Sequence, residues 1–213
     1  MRLCTLILLP LLAWLAVAPA AAQLRPAERL AALRERVELL ESQDAIENLQ
    51  ATFGYFFDKG LWDDTADLFA EDGSFEYGLS GVYVGQEHIR RALLLYGPSG
   101  LAQGYLNNHM QLQAVITVAS DGRTASGRFQ GMVMLAEPGA NGIWGVGIYE
   151  NRYVREDGVW KISSLHFYPS AFTDYDKGWA RSALPMRGQS ALFTRPALHR
   201  RLPQLPGQLH STF

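Results

Sequence analysis

The chain has 213 residues, of which 48% are hydrophobic and 19% charged, with a net charge of −2. That is globular composition, enough for one well-packed core and one domain. The small net charge excludes a general electrostatic pull toward nucleic acid or an anionic membrane.

Residues 1–22 read as a signal peptide. Arg2 supplies the positive n-region, "LCTLILLPLLAWLAVA" the apolar h-region and Ala20-Ala21-Ala22 the cleavage site. The apolar run is short and broken by Pro10, which argues against a retained membrane anchor. The one cysteine, Cys4, lies inside this segment, so a mature chain without disulfide or thiol chemistry is expected. The expected location is periplasmic or secreted.

Residues 23–44 predict an amphipathic helix, with Leu30, Leu33, Val37 and Leu40 at three-to-four spacing between Arg and Glu. Two roles fit it equally: a short coiled-coil contact in a homo-oligomer, or a helix lying on its own domain. Ser42 and Asp44 predict a break and restart. From Ile46 the pattern is apolar nearly all round (Ile46, Leu49, Phe53, Phe56, Phe57), as in a helix buried on more than one side, and Gly60 ends it. "LWDDTADLFAEDG" predicts a second helix stopping at Asp72-Gly73. "SFEYG" and "GVYVG" predict a hairpin, and "QEHIRRALLLYG" a third helix.

Four strands follow: "NNHMQLQAVITV", "RTASGRFQGMVMLAE", "IWGVGIYENRYVRE" and "VWKISSLHFYPS". Turn signals at Asp121-Gly122, Pro138-Gly139 with Asn141-Gly142, and Asp157-Gly158 separate them. Helices first and then an antiparallel meander give an α+β class, with a curved antiparallel sheet wrapped around the N-terminal helices. Residues 45–179 form the expected domain, and residues 180–213 an irregular basic tail. From Asp176 on there are six basic residues against one acid, while residues 1–175 carry 13 basic and 20 acidic residues. Such a tail either closes a cavity or stays mobile.

Several polar residues sit where strands and helices do not need them. By alternation His109, Gln111, Gln113 and Val115 share one face; Gly147, Tyr149, Asn151 and Tyr153 another; Trp160, Ile162, Ser164, His166 and Tyr168 a third. Unpaired buried polar groups cost a few kcal/mol each, so these either pair with one another or line a wet cavity. Asp58 follows "YFF" near the end of the buried helix and falls with Ala51, Gly54 and Tyr55 on the helical wheel. It is either a surface residue of "DKGLWDD" or part of a wall facing a hollow. His109 is either a satisfied structural histidine or a working base. Of Glu76 and Tyr77 only one can face inward, and the aromatic is the expected one. No H-x-x-x-H, cysteine cluster, G-x-G-x-x-G, P-loop or G-x-S-x-G occurs, which argues against a metal centre, a bound nucleotide and a serine hydrolase.

The stretch "IENLQATFGYFFDKGLWDDTADLFAEDGSFEYG…GVYVGQEHIRRAL", then "NNHM", then "YVREDGVWKISSLHF", resembles the SnoaL-like, NTF2-like cone-fold proteins, and among them the scytalone dehydratase-like branch. The resemblance spans roughly Ala45 to Trp179. It implies a cone-shaped sheet with one deep pocket for a small, often aromatic molecule, and acid/base chemistry without a cofactor or metal. It carries the family's helix-end aspartate onto Asp58, its pocket tyrosine onto Tyr77 and its principal histidine onto His109. It also exposes departures. The tyrosine beside the aspartate becomes Phe57, a second histidine would fall near Phe129, and a serine and an asparagine would fall at Gly147 and Tyr149.

The implied catalytic set is Asp58, His109 and Tyr77. His109 would take a proton next to a carbonyl or phenol-conjugated carbon, with Asp58 holding its tautomer and Tyr77 bonding the oxyanion. The expected substrate-binding set is Phe53, Phe57, Trp62, Asn108, Trp144, Tyr149, Asn151 and His166, with Phe167 as a further apolar wall. A dehydratase-type lyase is the leading expectation. The alternatives are a cofactorless carbon–carbon lyase that deformylates aromatic diols, an isomerase, cyclase or epoxide hydrolase, and a non-catalytic small-molecule-binding protein.

Overall fold

A computed structural model describes residues 25–78, 81–140 and 142–181. The signal segment with Cys4, and nearly all of the basic tail, lie outside the described residues.

The chain divides into two compact units, Met1–Arg36 and Val37–Phe213. In the first, the described residues form the opening turns of helix α1 (Pro26–Lys59), with Leu30 and Leu33 exposed. The helix runs on through Ser42 and Asp44 without the expected break. In the second unit it buries Ser42, Ile46, Gln50, Phe53, Gly54 and Phe57, a stripe at three-to-four spacing. After it come α2 (Trp62–Asp67), β1 (Phe69–Tyr77), β2 (Val82–Val84), α3 (Gln86–Leu93) with a 3-10 turn at Leu94–Tyr96, and four long strands. These are β3 (Leu106–Val118), β4 (Thr124–Ala136), β5 (Gly142–Glu156) and β6 (Val159–Asp174). The second helix is shorter than expected: it stops at Asp67, and the segment around Gly73 belongs to β1.

The six strands form one curved, open sheet in the order β2-β1-β6-β5-β4-β3. It is mixed, not purely antiparallel, because β1 runs parallel to β6. The β5–β6 turn, Asp157-Gly158, has φ of +47° and +85°, the left-handed pair that a tight two-residue hairpin requires.

Of the bulges in the sheet, two change which residues of the expected faces point inward. In β3, Leu112 pairs with Gln130 and Val115 with Arg128, so Gln113 and Ala114 stand against one residue, and Gln113 takes a φ of +52°. Beyond it the inward face moves to Ile116 and Val118, leaving Val115 exposed and ending the expected face at Gln111. In β6, Ile162 pairs with Tyr153 and Ser164 with Arg152, so Ser163 is the extra residue. Trp160 and Ile162 face inward before it, Leu165 and Phe167 after it. One inserted residue reverses the side chains that follow it, as far as the next register shift of β6 at Ser170.

The core is an aromatic cluster of Phe53, Phe57, Trp62, Phe69, Phe75, Tyr77, Tyr83, Phe129, Tyr149, Tyr153, Trp160 and Phe167, beside Ile46, Ile162 and Leu165. Gly131 and Gly147 pair across β4 and β5, and their bareness lets rings lie against the strands. A Cβ on Gly131 would stand 2.7 Å from the Tyr149 ring and 2.8 Å from the Phe167 ring. Gly131→Ala is therefore expected to destabilise the protein by about 1–3 kcal/mol through overpacking, measured by chemical denaturation. An unchanged midpoint would show that the rings move aside freely.

Candidate functional site

The end of α1 brings the site together. Gly60 N–H donates to Phe57 O at 3.1 Å and Leu61 N–H to Phe56 O at 2.9 Å, with Gly60 at φ +66°. That paired closure on a left-handed glycine stops the helix one turn after Phe57. Asn107 of β3 then donates its side-chain amide to Phe57 O at 3.1 Å and Asp58 O at 3.3 Å. The strand thus caps the helix, and Asp58 is delivered to the residue two places further on. Gly54, one turn earlier, leaves room for this contact: its missing Cβ would lie 3.4 Å from both His109 O and Gln111 Cγ.

Asp58 Oδ1 accepts two hydrogen bonds from His109, one from the backbone N–H at 2.8 Å and one from Nδ1 at 2.9 Å. The side chains are 17% and 5% exposed, so the pair is shielded from bulk water. An ionised carboxylate oxygen can only accept, so Nδ1 carries a proton, and in the neutral ring the lone pair is then on Nε2. Among the described residues nothing hydrogen-bonds Nε2. The two bonds fix the orientation of the ring.

Aromatic rings surround it. Phe57 meets the His109 ring edge to face at 4.8 Å, and Tyr77 does so at 6.1 Å. Tyr77 stacks on Phe167 at 4.5 Å, Tyr149 tilts over Phe167 at 4.6 Å, and Tyr77 and Tyr149 lie 6.4 Å apart. Trp62 packs on Phe57 at 5.4 Å and donates its indole N–H to Gly97 O at 3.0 Å. Phe53 lies behind Phe57 at 5.5 Å and supports the wall from the core. Tyr96, a partly exposed residue of the 3-10 turn, touches Phe57 at 5.2 Å and Tyr77 at 6.0 Å. Sequence spacing gave no sign of Tyr96.

Two buried phenols lie among these rings. Burial pushes the Tyr77 hydroxyl well above the usual tyrosine range, and the nearby Tyr149 and Tyr96 add to the shift. Burial likewise raises Tyr149. The Tyr149 oxygen is sealed from solvent with no hydrogen bond of good geometry, although Gln111 and Tyr77 act on it. Both phenols therefore stay protonated donors at any physiological pH.

Four residues of the expected binding set lie elsewhere or act differently. Asn108 alternates with His109 and points to the other face of β3, opposite Met134. Trp144 lies on the outer face of β5 and packs on Tyr175 at 5.8 Å and Trp179 at 6.1 Å. The Ser163 bulge turns His166 outward, where Nδ1 is 3.3 Å from Glu76 Oε2 and the ring stacks on Tyr168 at 3.7 Å. Asn151 does face inward, but it bonds Gln50 at 2.8 Å, Tyr153 at 3.3 Å and the His166 backbone N–H at 3.2 Å. Gln50 is wholly buried and was not singled out from sequence, although its place eight residues before Asp58, with Gly54 midway, is a legible signal.

A separate open groove of about 760 Å³ runs between α1 (Glu38, Glu41, Ser42, Ala45, Asn48) and the β5–β6 turn, and it contains none of these residues. Among the described residues, no group of three or more His, Cys, Asp or Glu is arranged to hold a metal ion.

Comparison with known proteins agrees with this architecture. The SnoaL-like domain family matches residues 38–166, and the chain belongs to that family. Among solved structures, a scytalone dehydratase-like protein of Novosphingobium aromaticivorans is 21% identical with a TM-score of 0.58, the match covering 71% of this chain and 97% of that one. A type 2 hexachlorocyclohexane dehydrochlorinase, LinA, is 24% identical with a TM-score of 0.57, covering 70% and 98%. ActVI-ORFA of Streptomyces coelicolor is 18% identical with a TM-score of 0.52, covering 60% and 96%. At these identities the likeness establishes the NTF2-like α+β cone. No curated protein matches the chain.

The buried phenols make stability depend on pH. The folded chain holds the protons of Tyr77, Tyr149 and Tyr153, all raised by burial, which the unfolded chain releases above about pH 10. Their contribution is complete below that pH and is lost as pH rises through the raised folded values. Alkaline titration followed by tyrosinate absorbance and circular dichroism should show these three ionising together with unfolding. Ionisation of all tyrosines with the fold intact would contradict this.

Proposed function

We propose that the chain is a cofactor-independent lyase of the dehydratase type, acting on a small aromatic or phenolic molecule. The observation that carries the reading is the shielded His109–Asp58 pair, with Nδ1 bound at 2.9 Å and Nε2 left open among aromatic rings. Two similar structures bear names for eliminations, one a dehydratase and one a dehydrochlorinase, which supports the reaction class.

In this reading Nε2 of His109 removes a proton from the carbon next to a substrate carbonyl. The electron pair moves onto the carbonyl oxygen, where the Tyr149 and Tyr77 hydroxyls donate hydrogen bonds to the developing enolate. The pair then returns to form the carbon–carbon double bond and expels the β-hydroxyl, which takes the proton from the imidazolium and leaves as water. Asp58 stays ionised throughout and holds the ring. Positioned proton transfer contributes about 10²–10⁴-fold, which suits an activated substrate.

One observation favours a second reading. Phe129, 2% exposed, occupies the position where the resemblance puts a second histidine. A single base also suits carbon–carbon cleavage with release of formaldehyde from an aromatic diol. We further propose that the mature chain works in the periplasm or outside the cell, on the strength of its apolar N-terminal segment. No helix among the described residues is long and apolar enough to cross a membrane.

Purified protein incubated with a panel of phenolic alcohols and read by mass spectrometry tests the reaction. Loss of water supports the first reading, loss of formaldehyde the second, and an isomer of unchanged mass an isomerase or cyclase. Asp58→Asn and His109→Ala are each expected to lower turnover by about 10²–10⁴-fold with ligand binding retained. Full turnover in both variants would end the proposal.

A further inference from the structure

Behind the His109–Asp58 pair lies a one-way chain of amides, buried at Asn151 and Gln50 and partly buried at Gln111. Tyr153 OH and Asn151 Nδ2 each donate to Gln50 Oε1 at 2.8 Å. Gln50 Nε2 donates to Gln111 Oε1 at 2.9 Å, and Gln111 Nε2 donates to His109 O at 3.0 Å. The other side of the same residue, its backbone N–H and Nδ1, donates to Asp58. Gln50 is 0% exposed, Asn151 2% and Tyr153 1%.

The chain has only one consistent sense. Gln50 Oε1 receives two donors, so its amide cannot flip without facing N–H against N–H. That fixes Gln50 Nε2 toward Gln111, which orients the Gln111 amide and directs its N–H to the His109 carbonyl. The His109 peptide is thereby gripped on both sides, by Asp58 at its N–H and by Gln111 at its C=O. Gln50, Gly54 and Asp58 lie at four-residue steps on α1, and His109 and Gln111 at a two-residue step on β3, so the two elements meet along one seam.

We propose that Gln50 and Gln111 are positioning residues: together they hold the His109 backbone and ring so that Nδ1 stays on Asp58 and Nε2 stays aimed at the ligand. This rests on the reading of His109 as the base, and it concerns side chains outside the set that touches substrate. A mere packing role would be served by any residue of this volume. A positioning role needs the donor sense of the amides.

The test uses the full-length protein with ¹⁵N-labelled histidine and reads the His109 ring by NMR, without a substrate. The wild type is expected to show a single Nδ1–H tautomer in its neutral form. Gln111→Met keeps the length of the side chain but removes both the donor to His109 O and the acceptor for Gln50. In this variant the His109 signals are expected to shift to a mixture of tautomers, and turnover on any active compound from the phenolic panel to fall by about 10²-fold, with KM moved far less. Tyr153→Phe, which removes one donor to Gln50 and keeps the ring, should shift the same signals in the same direction by less. It carries the test alone if Gln111→Met does not fold. His109 signals unchanged in a folded variant would overturn the positioning role and leave the reading of the base untouched. Unimpaired turnover in His109→Ala would overturn that reading instead, whatever the NMR spectra show.

Discussion

The two hydrogen bonds from His109 to a single carboxylate oxygen of Asp58 tie the C-terminus of a buried helix to the entrance of a long strand. Each half of that contact has a local cause. Gly60 closes the helix one turn beyond Phe57, so the carboxylate emerges at the helix end with only 17% of its side chain exposed. Asn107 bonds the last carbonyls of the helix, so the strand arrives in register. An ionised carboxylate held in this way accepts without donating, and this sets which ring nitrogen carries a proton toward it. The chemistry of the site follows from how a helix ends.

The surroundings convert that contact into a selective environment. Rings from α1, α2, β1, β5 and β6 meet around the imidazole, and bare glycines in the sheet let them lie flat. Among these rings stand few polar groups: the His109 imidazole and two phenols kept protonated by burial. Low polarity strengthens such interactions.

Much of the architecture was legible in the sequence, because helix ends and hairpin turns carry their own chemistry. Gly60, Asp121-Gly122 and Asp157-Gly158 marked boundaries within a residue or two. Asp58, His109 and Tyr77 could be singled out as a site only with the help of a family resemblance, since their distance along the chain hides their contact. What failed was parity. Alternation extrapolated along β6 pointed His166 inward, and along β3 it put Val115 beside His109; in each case one extra residue at a bulge reversed the strand. Bulges of this kind have no sequence signature at Ser163 or Gln113. Gln50 was missed for another reason: its four-residue steps to Gly54 and Asp58 put it on the same side of the helix, but its partners on β3 and β5 are far away in the chain.

The outward pair of Glu76 and His166 shows what the Ser163 bulge does to the protein's chemistry. A second carboxylate–imidazole couple sits on the opposite side of the sheet from the first, kept there by a count of residues and not by their kind. Aligning a relative across this strand by similarity alone, without tracking its insertions, would exchange the two walls and assign the wrong histidine to the interior. In this chain the residue count of the last strand decides on which side of the sheet its imidazole lies.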